Sequence, residues 1–371
     1  LFNYIYAGKR IYIIGDKMYL KNALDRGGGI FKAILIVSAA AALTLSSQSC
    51  KEGALNGIEM CLRVLIPSLF PFMALSALTV KLGICDLLGR RLGGITRKIF
   101  GVSGLLAPVF LLSLIGGYPV GAKGIAELKS SGAISEAEAK RASLFAVCAG
   151  PGFLINYVGS TLYGNAHIGM IILLAQVISV IIIGVFLRLF CGEVKQFSSN
   201  RELYIKSMPL SNALVESTYS AAEGMGKICA LVMIFSAATG ILNGILHENL
   251  LSFWMILSEV CSAVKLTAGE YPLWGTAFAV GFGGICVHFQ IFSALDGIKI
   301  NKLLFFLIRI IQGVITALLT WIFSFVFITE TEVFSSGEVQ NSAFFGGSII
   351  SAAVLAAVMV CFMLSIKNIR R

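Results

Sequence analysis

Gly116-Gly117-Tyr118-Pro119-Val120-Gly121-Ala122-Lys123 closes the charge-free run 99–122, which also holds Gly101, Gly104 and Pro108. Gly and Pro at this density break a helix. The run is nonetheless long and apolar enough for membrane depth, where about 17–25 residues cross the hydrocarbon. Broken backbone survives there only when buried in protein or lining a polar cavity. The stretch is therefore read as a re-entrant helical hairpin with the glycines at its tip. Its free N–H groups and Lys123 would make an anion site. The plainer alternative is a cytoplasmic linker with an exposed lysine. A phosphate loop is excluded, because Ala122 separates the last Gly from Lys123 and no Ser or Thr follows it.

The rest of the chain agrees with this solvent. Of 371 residues, 57% are apolar and 13% charged, against roughly 25% charged in soluble domains. The mean hydropathy is +0.88. Further charge-free runs lie at 33–50, 64–80, 142–166, 168–187, 228–246, 310–328 and 344–366. The expected fold is an all-α polytopic membrane protein with about eight crossings, its bilayer a partner along the whole length. The net charge of +10 is read as cytoplasmic loops and not as a nucleic-acid surface. The nine cysteines form no metal-ligand or disulfide pattern. Residues 1–29 read as a basic cytoplasmic head without a signal peptide.

A second Gly-rich run, 271–295, carries Pro272, Gly275, Gly281, Gly283 and Gly284, then His288 and Gln290. It is read as a second hairpin. Two connectors, 82–98 and 251–267, mix apolar residues with charges and suit helices lying in the interface plane.

Self-comparison pairs Glu59 with Glu223, Gly116 with Gly281, Gly132 with Gly297 and Gly150 with Gly313, at offsets of 164, 165, 165 and 163. Each copy would run span, interfacial helix, hairpin, span, span. Three crossings per copy invert the second relative to the first, as in secondary transporters. Basic loops through residue 206 support this orientation, whereas the acidic 329–343 loop and Lys367, Arg370 and Arg371 oppose it. The divisions are a head at 1–29, a first transmembrane helix at 30–50, a first gate repeat at 51–192, a cytoplasmic linker at 193–215 and a second gate repeat at 216–371.

The candidate solute site gathers Gly117, Tyr118, Pro119, Gly121 and Lys123 at the first tip. Gly150, Pro151 and Asn156 come from the span after it, where Pro151 between glycines unwinds the helix. Gly283, Gly284, His288 and Gln290 come from the second tip, and Arg309 and Gln312 from the following span. His288 stands at the repeat position of Lys123, 165 residues on. A lone His in an apolar run is as readily a satisfied structural residue. Arg309 either snorkels to the interface or points inward as a functional charge. The sequence has no enzyme constellation, no cofactor motif and no deep carboxylate to bind a coupling ion. Gly240-x3-Gly244 reads as helix packing.

Ile66-Pro67-Ser68-Leu69-Phe70-Pro71-Phe72, the Gly116–Lys123 stretch and Gly281-Phe282-Gly283-Gly284 resemble the YlbJ-type sporulation integral membrane proteins over roughly residues 35–325. The resemblance implies two nucleoside-recognition gate domains in a layout similar to concentrative nucleoside transporters. It also implies a role in spore formation, at the cell membrane or outer forespore membrane, and movement of dipicolinic acid. One departure is Ala146-Val147-Cys148-Ala149-Gly150-Pro151, where the family usually carries Asn or Ser before Gly-Pro. The function expected is transport of a small polar, anionic metabolite. A nucleoside or other neutral-solute transporter and a non-transporting envelope scaffold are the alternatives, with self-association left open.

Overall fold

The computed structural model describes residues 33–34, 36–192, 194 and 208–327. The basic head, most of the linker, the acidic 329–343 loop and the last span at 344–366 lie outside the described residues. Within them the chain is helical, without a strand. Among the described residues, five helices are long and apolar enough to cross a membrane, or six if one bent pair counts as a span. The molecule is an all-α polytopic membrane protein.

Of the first span read at 30–50, the described part is α1, Ile36–Leu45, ended by a turn at Ser46. The next helix starts earlier than the hydropathy implied. α2 (Ser47–Met60), a π-helical turn (Cys61–Leu65) and α3 (Ile66–Lys81) form one 35-residue rod. The π-helical turn precedes Pro67 and Pro71, whose missing N–H groups leave carbonyls one turn back without their usual helical donor. This rod packs on α9 (Leu210–Asn243) through small residues. A Cβ on Gly53 would meet the Ser236 carbonyl, and one on Gly57 would stand 3.0 Å from the Met233 Cα. The close-packing contacts are thus Gly53 against Gly240 and Gly57 against Met233 and Ser236, whereas Gly244 has only its own helix's Ile241 nearby.

α4 (Ile84–Phe100) is the amphipathic connector read at 82–98, set off by left-handed Gly83 and Gly101. The chain then bends by 106° into Gly104–Gly116. α5 (Ala107–Gly116) and α6 (Tyr118–Ser130) fold back on each other at Gly117, whose φ is +81°. Eight and fifteen residues separate their contacts: a Cβ on Gly121 would lie 2.8 Å from the Ser113 Cβ, and one on Gly124 3.0 Å from a Val109 methyl. A continuous helix would hold the first pair about 12 Å apart. α5 and α6 thus form a helical hairpin that reverses at Gly117.

α7 (Glu136–Phe145) opens with a Ser135/Glu138 capping box. Glu138 is buried, and its other oxygen accepts from the Ser103 N–H at 3.0 Å. After α7 the chain leaves helical form over residues 146–150. It resumes as a π-helical segment (Gly152–Leu162) followed by α8 (Ala166–Cys191).

Two expectations for the second half do not hold. The 251–267 connector is not one interfacial helix. It is α10 (Glu248–Ser258) and α11 (Val260–Glu270), separated by extended Glu259, and Val260, Cys261, Ala263, Val264 and Thr267 of α11 are buried. The 271–295 run is not a second hairpin either. α12 (Leu273–Phe282) and α13 (Gly284–Ala294) run on end to end as a broken rod of 22 residues. The reason is steric. Gly121 and Gly124 let α6 close on α5, but 165 residues later stand Cys286 and Phe289. α12 packs instead on α14 (Lys302–Phe327), where a Cβ on Gly281 would stand 2.7 Å from the Gly313 Cα.

Candidate functional site

Four interruptions of helix meet inside the molecule, at Gly117, residues 146–150, Glu259 and Gly283-Gly284. They touch backbone to backbone in pairs. A Cβ on Gly117 would lie 3.3 Å from the Gly150 N, and one on Gly284 3.1 Å from the Glu259 N. Each approach needs a residue without a side chain on at least one side, which is why three of the four breaks contain glycine. Gly283 and Gly284 also hold φ of +85° and +75°, a region other residues avoid.

Arg309 of α14 stands at the junction, with 0% of its surface exposed. Its Nε donates to the Phe282 carbonyl at 3.3 Å. Its Nη1 donates to the Val147 carbonyl at 2.7 Å and to Gln312 Oε1 at 2.6 Å. Phe282 ends α12 and Val147 follows the end of α7, so the guanidinium sits where helix C-termini present negative potential. Its carbon lies 5.3 Å from the centre of the Tyr118 ring, within cation–π range. The Tyr118 hydroxyl donates to the Val280 carbonyl at 2.5 Å, tying the hairpin tip to α12. Arg309 does not snorkel.

Glu259 is the residue the sequence reading missed. It is 2% exposed, and its two oxygens accept from the Cys261 and Ser262 N–H groups at 2.9 and 2.8 Å. A carboxylate at the first turn of α11 is favoured by the helix dipole. The available signal was Glu259 immediately ahead of a small-residue helix. Flanking Trp254 and Lys265 made the segment look interfacial instead.

Two cavities flank the junction. A small one of about 30 Å³ lies among Gly117, Tyr118, Gly150, Glu259 and Gln290, room enough for water. The larger, about 550 Å³, opens between α3, the α5–α6 hairpin, α9 and α13. Its charged lining is Lys81, Lys123, Glu127, Glu223 and Lys227. Pro119 and Gln290 line both. In the larger cavity Lys81 pairs with Glu216 at 2.7 Å and Lys227 with Glu223 at 2.8 Å. Lys123 donates to the Ser220 hydroxyl. Burial pushes the Glu127 carboxyl above its ordinary value, while Lys123 and Lys81 oppose that rise.

The predicted site residues thus divide. Gly117, Tyr118, Gly150, Gly283, Arg309 and Gln312 come together at the junction, with Pro151 beginning the π-helical segment beside it and Gly284 packed on Glu259. Lys123, Pro119 and Gln290 face the larger cavity. Gly121 packs under the hairpin against Ser113 and the Ala146 carbonyl. Asn156 is exposed and lines neither cavity. His288 sits apart from Lys123, in a cage of Phe282, Phe305 and Phe306, with Nε2 3.0 Å from the Phe282 carbonyl.

Broken spans gathered round a buried cation define a polytopic integral membrane protein with interior polar sites, an architecture known among transporters. The chain is similar to the sporulation integral membrane protein YlbJ of Bacillus subtilis (strain 168). The two are 24% identical over 311 residues, 73% of this chain and 76% of that protein. This likeness supports the YlbJ-type assignment that the motifs indicated. No protein-family model matches the chain, and no solved structure matches it.

Proposed function

We propose that the protein moves a small polar, anionic metabolite across a membrane, a dicarboxylate of the dipicolinate kind. We assign that role to spore formation, in the cell membrane or the outer forespore membrane, a reading supported by the likeness to a sporulation membrane protein. The observation that carries the anion reading is the larger cavity. At about 550 Å³ it has the size of a small-molecule site. Two of its three lysines are in ion pairs with glutamates, whereas Lys123, at the base of the glycine hairpin, bonds the Ser220 hydroxyl and has Glu127 and Glu223 nearby without an ion pair to either. An ammonium so placed can exchange Ser220 for a carboxylate without breaking an ion pair. Pro119 and Gln290 connect this cavity to the small one beside the junction, giving a solute a route toward the broken helices.

A neutral-solute reading has its own support, because Glu127 and Glu223 share the lining with Gln290 and Ser220. Uptake into vesicles reconstituted with the full chain separates the two. Pyridine-2,6-dicarboxylate uptake above empty vesicles is expected. Preferential uptake of an uncharged nucleoside would replace the anion reading, and uptake of neither would favour a scaffold.

A further inference from the structure

Burying a polar atom without a partner costs about 1–3 kcal/mol, and native interiors hold few. Here several gather on one side of the junction. Arg309 Nη2, Gln312 Nε2 and both amide atoms of Gln176 are buried with no hydrogen-bond partner. Gln176 lies on α8 one turn from Ser179, which accepts from Thr316 of α14 at 3.0 Å, so it faces α14. Gln176 and Arg309 also flank the Tyr118 hydroxyl. The Gln312 amide is oriented by its bond to Arg309: Oε1 accepts from Nη1, leaving Nε2 as a donor.

The donors are packed closed in this arrangement. A Cβ on Gly283 would already stand 3.2 Å from Arg309 Nη2 and 3.6 Å from the Tyr118 ring. The small cavity reaches Tyr118 but not the donors behind it, so the ring must move before a ligand can enter. Three N–H donors face this region against two acceptors, Gln176 Oε1 and the lone pairs of the Tyr118 hydroxyl. Water is both donor and acceptor, whereas a carboxylate only accepts. The donor excess matches the carboxylate.

We propose that Arg309 Nη2, Gln312 Nε2 and Gln176 Nε2 form an occluded seat for a carboxylate group, with Tyr118 as its cover. The inference rests on the anion reading above and adds a second, deeper position to it. Tyr118 stacks on Arg309 between the small cavity and the guanidinium, held by its bond to the Val280 carbonyl and by the Gln176 and Arg309 side chains beside its hydroxyl. Gly117 precedes it at positive φ and provides the pivot. Displacing the tip uncovers the Nη2 arm and leaves the other Arg309 bonds in place.

The test uses purified full-length protein in detergent with pyridine-2,6-dicarboxylate as probe, read by equilibrium binding and by thermal melting. Gln176→Leu removes one donor without touching the bonds that hold Arg309. It should weaken binding about tenfold or more, at an unchanged or higher melting temperature without ligand. Tyr118→Phe, which loses the tie to Val280, should speed ligand dissociation. Equal binding by wild type and Gln176→Leu overturns the seat. So does a variant that melts higher while the probe leaves wild type unaffected, since trapped water then satisfies these donors. Vesicle uptake measured in parallel keeps the two readings apart. Wild-type uptake undiminished by Gln176→Leu removes the seat and leaves transport standing. Binding that depends on Gln176 without any uptake removes transport and leaves the seat.

Discussion

Gly117 and Gly150 meet with no side chain between them: a Cβ on Gly150 would lie 3.2 Å from the Gly117 N and 3.0 Å from the Ile115 carbonyl. This contact joins the tip of the α5–α6 hairpin to the unwound stretch after α7. Any side chain here must push the hairpin away.

Gly121→Leu is accordingly expected to prevent folding, because its Cβ would run into the Ala146 carbonyl and Ser113. Overpacking of this kind typically costs about 1–3 kcal/mol or more. Gly226→Ala, with nothing within 4 Å of the new Cβ, serves as the tolerated control. Size-exclusion profiles of the two variants in detergent measure the difference. The effect is structural, so this substitution does not distinguish a gate from a scaffold.

Arg309→Ala should also fail to fold stably. It strands the Val147 carbonyl and Gln312 Oε1 in the interior and leaves Phe282 only the His288 ring. Breaking a buried charged network by removing one partner costs about 3–5 kcal/mol. Thermal melts should show a large loss of stability, only partly recovered by Arg309→Lys, whose ammonium cannot reproduce the planar fork. A variant that melts like wild type would contradict this role.

Lys123→Ala is the opposite case. Lys123 is exposed to the larger cavity and contributes one bond, to Ser220. The variant should melt within about 0.5 kcal/mol of wild type, as surface substitutions usually do. Dicarboxylate uptake should fall about tenfold or more, the scale of a lost charge-assisted hydrogen bond. Normal uptake of dicarboxylate would remove Lys123 from the solute path.

His288→Phe should be nearly neutral for both folding and uptake. The ring sits among Phe282, Phe305 and Phe306, and the carbonyl it contacts also accepts from Arg309 Nε. Loss of uptake with an unchanged melt would restore the histidine as a solute ligand.

Glu259→Ala removes the acceptor for two α11 N–H groups. It should destabilise by about 0.5–2 kcal/mol, the range for a lost N-cap. Glu259→Asp, which can still cap, should recover part of it in the same melt.

Much of this was legible along the chain, and the physical reason is locality. Hydropathy over a run of some twenty residues selects the solvent whatever the chain packs against, so the all-α membrane class follows from composition and run length. Helix breaking at Gly116-Gly117, Gly150-Pro151 and Gly283-Gly284 is likewise a property of those residues. The sequence therefore located three of the four interruptions. The fourth, at Glu259, has neither Gly nor Pro. It is held open by the carboxylate turning to cap α11, an event that depends on the burial of that helix.

What each break does was decided by tertiary structure. A glycine permits a reversal and a straight continuation alike, and the neighbouring faces choose between them. Gly121 and Gly124 let α6 close on α5 at Gly117, whereas Cys286 and Phe289 occupy the matching places on α13 and the rod runs on across Gly283. Repeat spacing made Lys123 and His288 equivalent, yet these different outcomes send one to a cavity and the other into an aromatic cage. The carbonyl partners of Arg309 lie 27 and 162 residues away. No local pattern encodes them, because a carbonyl becomes an acceptor for a distant guanidinium only once two separate helices end at the same point in space.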